Sequence, residues 1–238
     1  MNIALIGYGK MGKAIETIAL SNGHSITLKI DYDNLSDLNP ENLRKADVAI
    51  EFTGPESAPE NMLKCFKCGI SVVCGSTGWL AKSKEIKSQC ETLNGTLLYS
   101  SNFSIGVNIF FELNKHLAQM MNAQTNYSIE INETHHTQKI DAPSGTAITI
   151  AEGILEKISR KKEWTNNATD NKDQLSILSH RIDPAPGTHS VKYASSVDDI
   201  EIIHTAHNRT GFASGAVLAA EFVNGKKGIF EMKDVLGF

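Results

Sequence analysis

Apolar positions in the first hundred residues alternate between short continuous runs and helical spacing. Asn2–Ile6 is an apolar run of strand length, and the apolar residues of Lys10–Leu20 recur at the spacing of one helix face. Strands alternating with helices of this length predict an α/β fold with a doubly wound parallel sheet. The further strands predicted are Ser25–Ile30, Val48–Phe52, Ser71–Cys74 and Thr96–Ser100, and the further helices Ala58–Cys68 and Ala81–Cys90.

The pattern changes after residue 105, and this half is expected to form a smaller α+β domain with a sheet of its own. The hydrophilic residues 159–173 are expected to be a surface excursion, in which Arg160–Lys162 is a solvated helix end. Helices are predicted over Val107–Met121 and from Ser144 to about Lys157, and strands over Tyr127–Glu133, Leu175–Arg181, Ser190–Ser195 and Asp199–His207.

The C-terminal part contains an apolar helix, predicted over Ala213–Phe222, and then the short tail Gly228–Phe238. We expect this helix to pack on the first domain. The first domain would then comprise residues 1–105 and 208–238, and the second domain residues 106–207.

The composition and charge exclude several classes of protein. The net charge is −4 and the basic residues are scattered, so no nucleic-acid partner is expected. The N-terminus lacks the pattern of a signal peptide, and no apolar run approaches the roughly 20 residues of a membrane span, so we expect a cytoplasmic protein. Cys65 and Cys68 end a predicted helix, where the dipole disfavours a thiolate; structural thiols and no metal site are predicted.

A glycine motif, Gly7-Tyr8-Gly9-Lys10-Met11-Gly12, lies between the first strand and the first helix. Its glycines permit a tight turn and the close approach of a pyrophosphate, whose charge faces the helix N-terminus. Asp31 ends the next strand, where a carboxylate binds ribose hydroxyls and favours NADH, whereas Lys10 is placed to reach the 2′-phosphate of NADPH. We therefore predict a Rossmann domain that binds NADH, NADPH or both.

Two further loops follow predicted strands, namely Phe52-Thr53-Gly54-Pro55 and Gly75-Ser76-Thr77-Gly78. Ligands of open parallel sheets lie outside the carboxyl ends of the strands, so these loops are predicted to line the nicotinamide half of the site. Tight turns without a ligand contact are the alternative, which position alone leaves open.

The densest polar cluster runs from Glu133 to Ala147 and includes His135, His136 and Lys139. Two imidazoles and an ammonium supply positive charge and proton donors near neutral pH. Ser144-Gly145-Thr146 follows at the start of a helix, where hydroxyls and amides suit a carboxylate. The cluster indicates a site for a small dianion that is protonated during reaction.

Structural explanations of the same residues stay open at this point. Ser144 or Asp141 could simply cap the helix, and Lys139 could be a solvated side chain. Metal binding by His135 and His136 is disfavoured, because adjacent histidines point apart and no carboxylate-rich partner is evident.

The chain resembles the 4-hydroxy-tetrahydrodipicolinate reductase family of lysine and diaminopimelate biosynthesis. The signature E-x-H-H-x-x-K-x-D-A-P-S-G-T-A is complete from Glu133 to Ala147. The resemblance implies NAD(P)H-dependent reduction of a cyclic imine dicarboxylate to tetrahydrodipicolinate, with loss of water. Supporting matches are the glycine motif, both strand-end loops, Asn102-Phe103-Ser104-x-Gly106-Val107-Asn108, Gly187-x-His189, and Arg209 with Phe212-Ala213-x-Gly215-Ala216.

The resemblance also implies roles for individual residues. His135 and Lys139 would carry proton donation, and Thr77 would lie between cofactor and substrate. The substrate carboxylates would be held by His136, Ser144, Gly145 and Thr146. Cofactor contacts beyond the loops above would come from Ser100, Asn102, Phe103 and Arg209. The family is a homotetramer built through the sheet of the second domain, and closure between its domains brings His135 toward the nicotinamide.

Departures from the family pattern leave the preference between NADH and NADPH open. The glycine motif is a residue shorter than in many relatives, Ser76 stands where threonine is common, and Ser100-Ser101 replaces the usual Ala-Pro.

Two other functions are compatible with the glycine motif. An amino-acid dehydrogenase would not need His-His-x-x-Lys, and a nucleotide-sensing regulator would not need Lys139.

Overall fold

Parallel strands form the first sheet of the computed structural model, which describes residues 1–208 and 210–238. The strands are β1 (Asn2–Ile6), β2 (Ser25–Ile30), β3 (Val48–Glu51), β4 (Ser71–Cys74), β5 (Thr96–Tyr99) and β11 (Gly228–Phe230). They lie in the order β11-β5-β4-β3-β1-β2, and each neighbouring pair is parallel. The strand order reverses at β1, between β2 and β3, where open α/β sheets bind ligands. The predicted α/β class with a doubly wound sheet is confirmed.

Helices cover both faces of this sheet because successive side chains of a strand point to opposite sides. Ile3 and Leu5 of β1 are buried in one cluster with Ile15 and with alanines of the helix Thr210–Val223, whereas Ala4 and Ile6 belong to another cluster. The helices of this half are α1 (Lys10–Ser21), α2 (Pro40–Leu43), α3 (Ala58–Lys67), α4 (Ser83–Thr92), α7 (Thr210–Val223) and α8 (Met232–Leu236), with 3₁₀ turns at Leu35–Asp37 and Leu80–Lys82.

The expected C-terminal tail is instead a strand and a helix. β11 pairs in parallel with β5, and Met232 of α8 is buried in the same cluster as the alanines of α7. Glu231 and Asp234 form a capping box at the start of α8, and Gly237 ends the helix with φ +78°. Strands of three residues are too short to show a period, so the sequence pattern misses β11.

A mixed sheet forms the core of the second half. Its strands are β6 (Ser128–His135), β7 (Glu163–Thr165), β8 (Gln174–Arg181), β9 (Thr188–Ala194) and β10 (Asp199–Thr205), in the order β10-β9-β6-β8-β7. β6 is parallel to β8 and antiparallel to β9. The helices α5 (Ile105–Met121) and α6 (Gly145–Lys157) contribute to one buried cluster with the apolar residues of β6, β8 and β9.

The segment expected as a surface excursion takes part in this second half. Glu163–Thr165 pairs in parallel with β8. Arg160 is not a solvated helix end, because α6 ends at Lys157 and the guanidinium donates to backbone carbonyls at the end of α5, including Met121 at 3.1 Å and Asn122 at 2.8 Å. A positive charge at a helix C-terminus is stabilised by the helix dipole, which explains why arginine lies there.

The chain divides into two compact units, one of Met1–Ile105 with Arg209–Phe238 and the other of Gly106–Asn208. Across the described residues, no helix has the length and apolar character that a membrane crossing requires.

Candidate active site

The loop between β1 and α1 brings glycines against neighbouring backbone in the first unit. Gly7 has φ +97°, and a Cβ there would lie 2.2 Å from the carbonyl oxygen of Phe52. A Cβ on Gly12 would lie 2.4 Å from the carbonyl oxygen of Gly7. Side chains are therefore excluded at both positions. The N-terminus of α1 opens onto this loop, as pyrophosphate binding requires.

Two adjoining cavities meet at the glycine motif. One, of about 290 Å³, is lined by Gly7, Tyr8, Gly9, Asp31, Phe52 and Thr53, among others. The other, of about 480 Å³, is lined by Lys10, Met11, Gly12, Gly75, Ser76 and Thr77, and it shares Gly7, Gly9, Phe52 and Thr53 with the first. The fold thus brings together, at the carboxyl ends of β1 to β4, the predicted cofactor residues of the glycine motif, Asp31 and the two strand-end loops.

The turn after β5 does not line these cavities. Ser100 Oγ donates to the carbonyl of Asn102 at 2.6 Å, and Asn102 Oδ1 accepts from the backbone N–H of Ser104 at 2.9 Å. Phe103 is buried, with its ring centroid 5.7 Å from that of Phe52. These three predicted contacts are thus part of a tightly bonded turn, and Arg209 lies outside the described residues.

Sequence reasoning missed Glu51, a buried carboxylate that accepts hydrogen bonds from the loop after β3. Glu51, the last residue of β3, is fully buried, and its Oε1 accepts hydrogen bonds from the backbone N–H and the hydroxyl of Thr53. The same N–H of Thr53 lies 2.8 Å from Ser76 Oγ, which joins the loops after β3 and β4. Glu51 could have been recognised from the sequence, because it is a charged residue at the end of an apolar strand.

Replacing Asp31 by alanine is expected to shift cofactor use toward NADPH. The side chain lines the smaller cavity, and its Oδ1 accepts from the N–H of Tyr32 at 2.9 Å, which fixes a negative charge where a 2′-phosphate would be repelled. The ratio of kcat/KM for NADPH over NADH should rise about 10–100-fold, as the loss of one charged hydrogen bond predicts. Asp33→Ala, an exposed neighbour, is the control. An unchanged ratio in Asp31→Ala would refute the ribose contact.

The second unit places its chemistry on the buried face of one strand. In β6 the buried positions alternate as Ile129, Ile131, Glu133 and His135. The sequence assigned His135 to a loop, but it is the last residue of the strand, and its imidazole is buried. The alternation that predicts Ile129 and Ile131 to be buried also predicts burial of Glu133 and His135. Sequence reasoning missed this signal.

Glu133 is fully buried and joins three strands to a helix. Register places Ser179 of β8 and His189 of β9 directly beside it. Its Oε1 accepts from the Ser144 N–H at 3.0 Å and from the Ser179 hydroxyl at 2.7 Å, and lies 3.3 Å from Arg181 Nη2. Burial opposes ionisation, but the donated hydrogen bonds outweigh it and hold the pKa of Glu133 far below its usual range.

His189 completes the buried cluster as a neutral imidazole. Its Nε2 lies 3.2 Å from Ser144 Oγ and 3.8 Å from Glu133 Oε2, and its ring meets that of His135 edge to face at 5.0 Å. Burial, together with the neighbouring His135, lowers the pKa of His189 to about 3. The ligand atoms of Glu133, His135 and His189 lie within 4.8 Å of one another, so these residues also form a possible metal-binding set that the sequence did not reveal.

The buried His189 should make the protein less stable as the pH falls below 6.5. Unfolding releases the imidazole, which then binds a proton that the folded state excludes, so stability rises with pH between the folded and unfolded values. For each pH unit of acidification, the free energy of unfolding should fall by up to about 1.4 kcal/mol more in the wild type than in His189→Gln. Urea titrations between pH 5 and 6.5 measure this difference, and the exposed His180→Gln should retain the wild-type slope. Parallel slopes in wild type and His189→Gln would contradict it.

The loop after β6 is tied to β8 and to the turn that follows it. Arg181 donates from Nη2 to the carbonyl of Asp141 at 2.6 Å and from Nε to that of Lys139 at 3.3 Å. Asp183 accepts from the N–H and the hydroxyl of Thr137, and these hydrogen bonds lower the pKa of Asp183. Lys139 Nζ pairs with both carboxylate oxygens of Asp141 at 2.7 and 2.8 Å. The loop therefore presents Lys139 from a fixed backbone.

The start of α6 confirms Ser144 as a helix cap, with its Oγ accepting from the N–H of Ala147 at 3.1 Å. Gly145 is the exposed first residue of the helix, and Thr146 follows it half-buried. An α-helix directs its first N–H groups and the positive end of its dipole outward, which suits a carboxylate. His136 is half-buried one residue beyond His135.

Family models match both parts of the chain. Residues 1–103 match the model described as "Dihydrodipicolinate reductase, N-terminus", and residues 106–236 match "Dihydrodipicolinate reductase, C-terminus". The chain belongs to the dihydrodipicolinate reductase family. The family membership predicted from the signature between Glu133 and Ala147 is thereby confirmed.

Individual members of the dihydrodipicolinate reductase family are similar over nearly the whole chain. A 4-hydroxy-tetrahydrodipicolinate reductase of Christiangramia forsetii is 51% identical over 99% of this chain and 98% of its own. One from Methanoculleus marisnigri is 38% identical over 82% of this chain and 78% of its own. A dipicolinate-bound dihydrodipicolinate reductase from Paenisporosarcina sp. has the same fold, with a TM-score of 0.75, 23% identity and 97% of each chain covered.

Proposed function

We propose that the chain is an NAD(P)H-dependent reductase that converts 4-hydroxy-tetrahydrodipicolinate to tetrahydrodipicolinate with loss of water, in lysine and diaminopimelate biosynthesis. The observation that carries this proposal is the buried Glu133–His135–His189 cluster beside a helix N-terminus, in a chain of the dihydrodipicolinate reductase family. The substrate is a small dicarboxylate, and the cofactor is NADH, NADPH or both.

The first unit holds the cofactor. The glycine motif and the N-terminus of α1 bind the pyrophosphate, and Asp31 binds the adenosine ribose. Thr53, Ser76 and Thr77 lie at the strand ends where the nicotinamide half belongs, and the Ser100–Phe103 turn and Arg209 add the remaining contacts. The bound cofactor supplies a hydride to the ring carbon conjugated with the imine.

The second unit holds the substrate and supplies the proton. His135 donates a proton to the ring carbon next to the one that receives the hydride, and Lys139 assists this transfer and counters the substrate charge. His136, the Ser144 cap and the first residues of α6, Gly145 and Thr146, hold the carboxylates. Arg181 and Asp183 fix the loop that carries Lys139, so little conformational freedom is lost when the substrate binds.

The two units correspond to a Rossmann domain and to a domain for substrate binding and tetramer formation. Support for a homotetramer comes from β10, an edge strand of the second sheet, on which Ile203 is 60% exposed, next to the turn in which Val197 is 87% exposed. Exposed edge strands with apolar side chains favour pairing with another chain. Light scattering should give the mass of four chains; a monomer would contradict this.

The enzyme is expected to work in the cytoplasm, where the reduced cofactors are available.

The test is turnover, followed as loss of NADH or NADPH absorbance at 340 nm with substrate freshly made from pyruvate and aspartate semialdehyde by the synthase. Rapid loss in wild type and a loss of at least about 10²-fold in Lys139→Ala are expected, with Lys172→Ala as an exposed-lysine control. Absence of turnover in a folded protein that binds NADH would point to another reductase or to a nucleotide sensor.

Dipicolinate gives a second test that does not depend on turnover. It is a planar dicarboxylate, and the Paenisporosarcina enzyme is described as binding it. Adding dipicolinate with NADH should raise the melting temperature above that with NADH alone. The absence of a further shift would count against the substrate site.

A further inference from the structure

Two buried polar atoms of the cluster face each other without another partner. Glu133 Oε2 and His135 Nδ1 lie 3.3 Å apart, and neither atom has a hydrogen-bond partner within the part of the chain that the structure describes. Buried groups of this kind carry a large desolvation penalty unless they are satisfied. A small rotation of the imidazole would satisfy both with a charge-assisted hydrogen bond.

We propose, resting on the reductase function above, that Glu133 is a positioning residue that holds the Nδ1 proton of His135 and thereby directs Nε2–H toward the substrate. Glu133 does not touch the substrate in this assignment, because its side chain is fully buried. It acts through the imidazole alone.

The carboxylate is fixed in a way that leaves only one oxygen for His135. Oε1 is occupied by the N–H of Ser144 and the hydroxyl of Ser179, with the Arg181 guanidinium close by. Oε2 points to the two imidazoles, 3.3 Å from His135 Nδ1 and 3.8 Å from His189 Nε2. Since Oε1 is held by the backbone at the start of α6 and by side chains of β8, Oε2 has little freedom to turn away from His135.

The opposite nitrogen of the ring is left available by a glycine. A Cβ at Gly187 would lie only 3.1 Å from His135 Nε2, so a larger residue would crowd that atom. Among the described residues, none is hydrogen-bonded to Nε2. The ring thus has one nitrogen directed to a buried carboxylate and the other free to serve the substrate.

The proton balance of this arrangement is simple. The imidazolium gives its Nε2 proton to the ring carbon adjacent to the hydride acceptor, and the N–H electron pair stays on Nε2. The Nδ1 proton remains against Glu133, so the neutral ring is left as the Nδ1–H tautomer. Water returns a proton to Nε2 before the next turnover.

Other charged groups around the cluster favour a proton over a metal ion between these residues. The charged groups that face it are Arg181 at the end of β8 and Lys139 in the loop. His189 on β9 belongs to the cluster as a neutral imidazole, and His204 on β10 acts on it. The Arg181 guanidinium, 3.3 Å from Glu133 Oε1, already compensates the carboxylate charge and opposes a further cation. A metal ion bound by Glu133, His135 and His189 is the competing outcome of the experiments below.

The first experiment compares kcat, KM and their pH profiles in wild type, Glu133→Gln and Glu130→Gln. Glutamine keeps the shape of Glu133 but can present an N–H to Nδ1, which disfavours the imidazolium. We expect kcat to fall at least about tenfold with KM nearly unchanged, and the alkaline decline of kcat to begin at lower pH. Glu130, half-buried on the other face of β6, should behave as wild type. An unchanged profile in an active, folded Glu133→Gln would overturn the proposal.

The second experiment reads the tautomer directly and does not need the variant to fold. Nitrogen-15 NMR of the His135 ring in the wild-type protein should show the neutral form protonated on Nδ1; protonation on Nε2 overturns the proposal. Stoichiometric zinc in the purified protein, or a change of kcat on treatment with a chelator, would assign the cluster to a metal and also overturn it. Absence of wild-type turnover would instead refute the reductase function, while leaving the tautomer measurement valid.

Discussion

Replacing His135 by glutamine lowers kcat by about 10²–10⁴-fold, the range expected for loss of a general acid. Glutamine retains hydrogen-bonding capacity and similar size but cannot become a cation that gives up a proton near neutral pH. The imidazole is buried at the end of β6, with its ring centroid 5.0 Å from that of His189. KM and the affinity for NADH should change little.

Steady-state and single-turnover measurements at 340 nm provide the test. His180→Gln is a matched control, because His180 lies on the neighbouring strand β8 but is exposed, with its Nε2 3.2 Å from Asn132 Oδ1. That variant should keep wild-type kcat. Wild-type turnover in His135→Gln would remove the residue from the chemical step and leave Lys139 as the proton donor.

Replacing Gly215 by alanine lowers the free energy of unfolding by about 3 kcal/mol or more, at the upper end of the cost of overpacking. A Cβ there would lie 1.7 Å from the carbonyl oxygen of Phe103, and backbone on both sides cannot give way as a flexible side chain can. The helix α7 would have to move off the sheet, which exposes part of the cluster formed with Leu5 and Leu98.

Urea unfolding and thermal melting measure this effect, and Gly211→Ala is the matched control on the same helix. A Cβ at Gly211 would meet nothing closer than Ser104 Oγ at 3.6 Å, so that alanine should be neutral or slightly stabilising. Gly215→Ala should also weaken cofactor binding, since Phe103 belongs to the turn proposed to meet the nicotinamide. Equal stability of the two variants would show that α7 is not held at this distance from the turn.

Local pattern was sufficient for most elements of the first unit. The strands from β1 to β5 and the helices α1, α3 and α4 are found within a few residues of the predicted bounds, because the strands are apolar runs bounded by polar or turn residues and the helices are long enough to show their period. β7 and β11 were missed since each has three residues and forms only by pairing with a distant strand. The glycine motif was informative because its spacing itself encodes a backbone shape.

The candidate site was predictable only in part. His135, Lys139 and Ser144 stand out as chemistry-bearing residues within one short segment of sequence. Arg181 and His189 do not, because their importance depends on which strands lie beside β6. Arg160 was misjudged for the same reason: a basic run is usually solvated, and only the path of the chain reveals the carbonyls that it binds.

The sequence by itself determined the alternation of strands and helices, the cofactor loop and the segment that carries the chemistry, because these depend on neighbours along the chain. Only the tertiary structure decided which side chains surround Glu133. Its partners Ser179 and His189 lie 46 and 56 positions away, and they meet it through the register of a parallel and an antiparallel strand pair. A shift of one residue would turn either partner to the opposite face of the sheet, and that register is fixed by packing of the whole core.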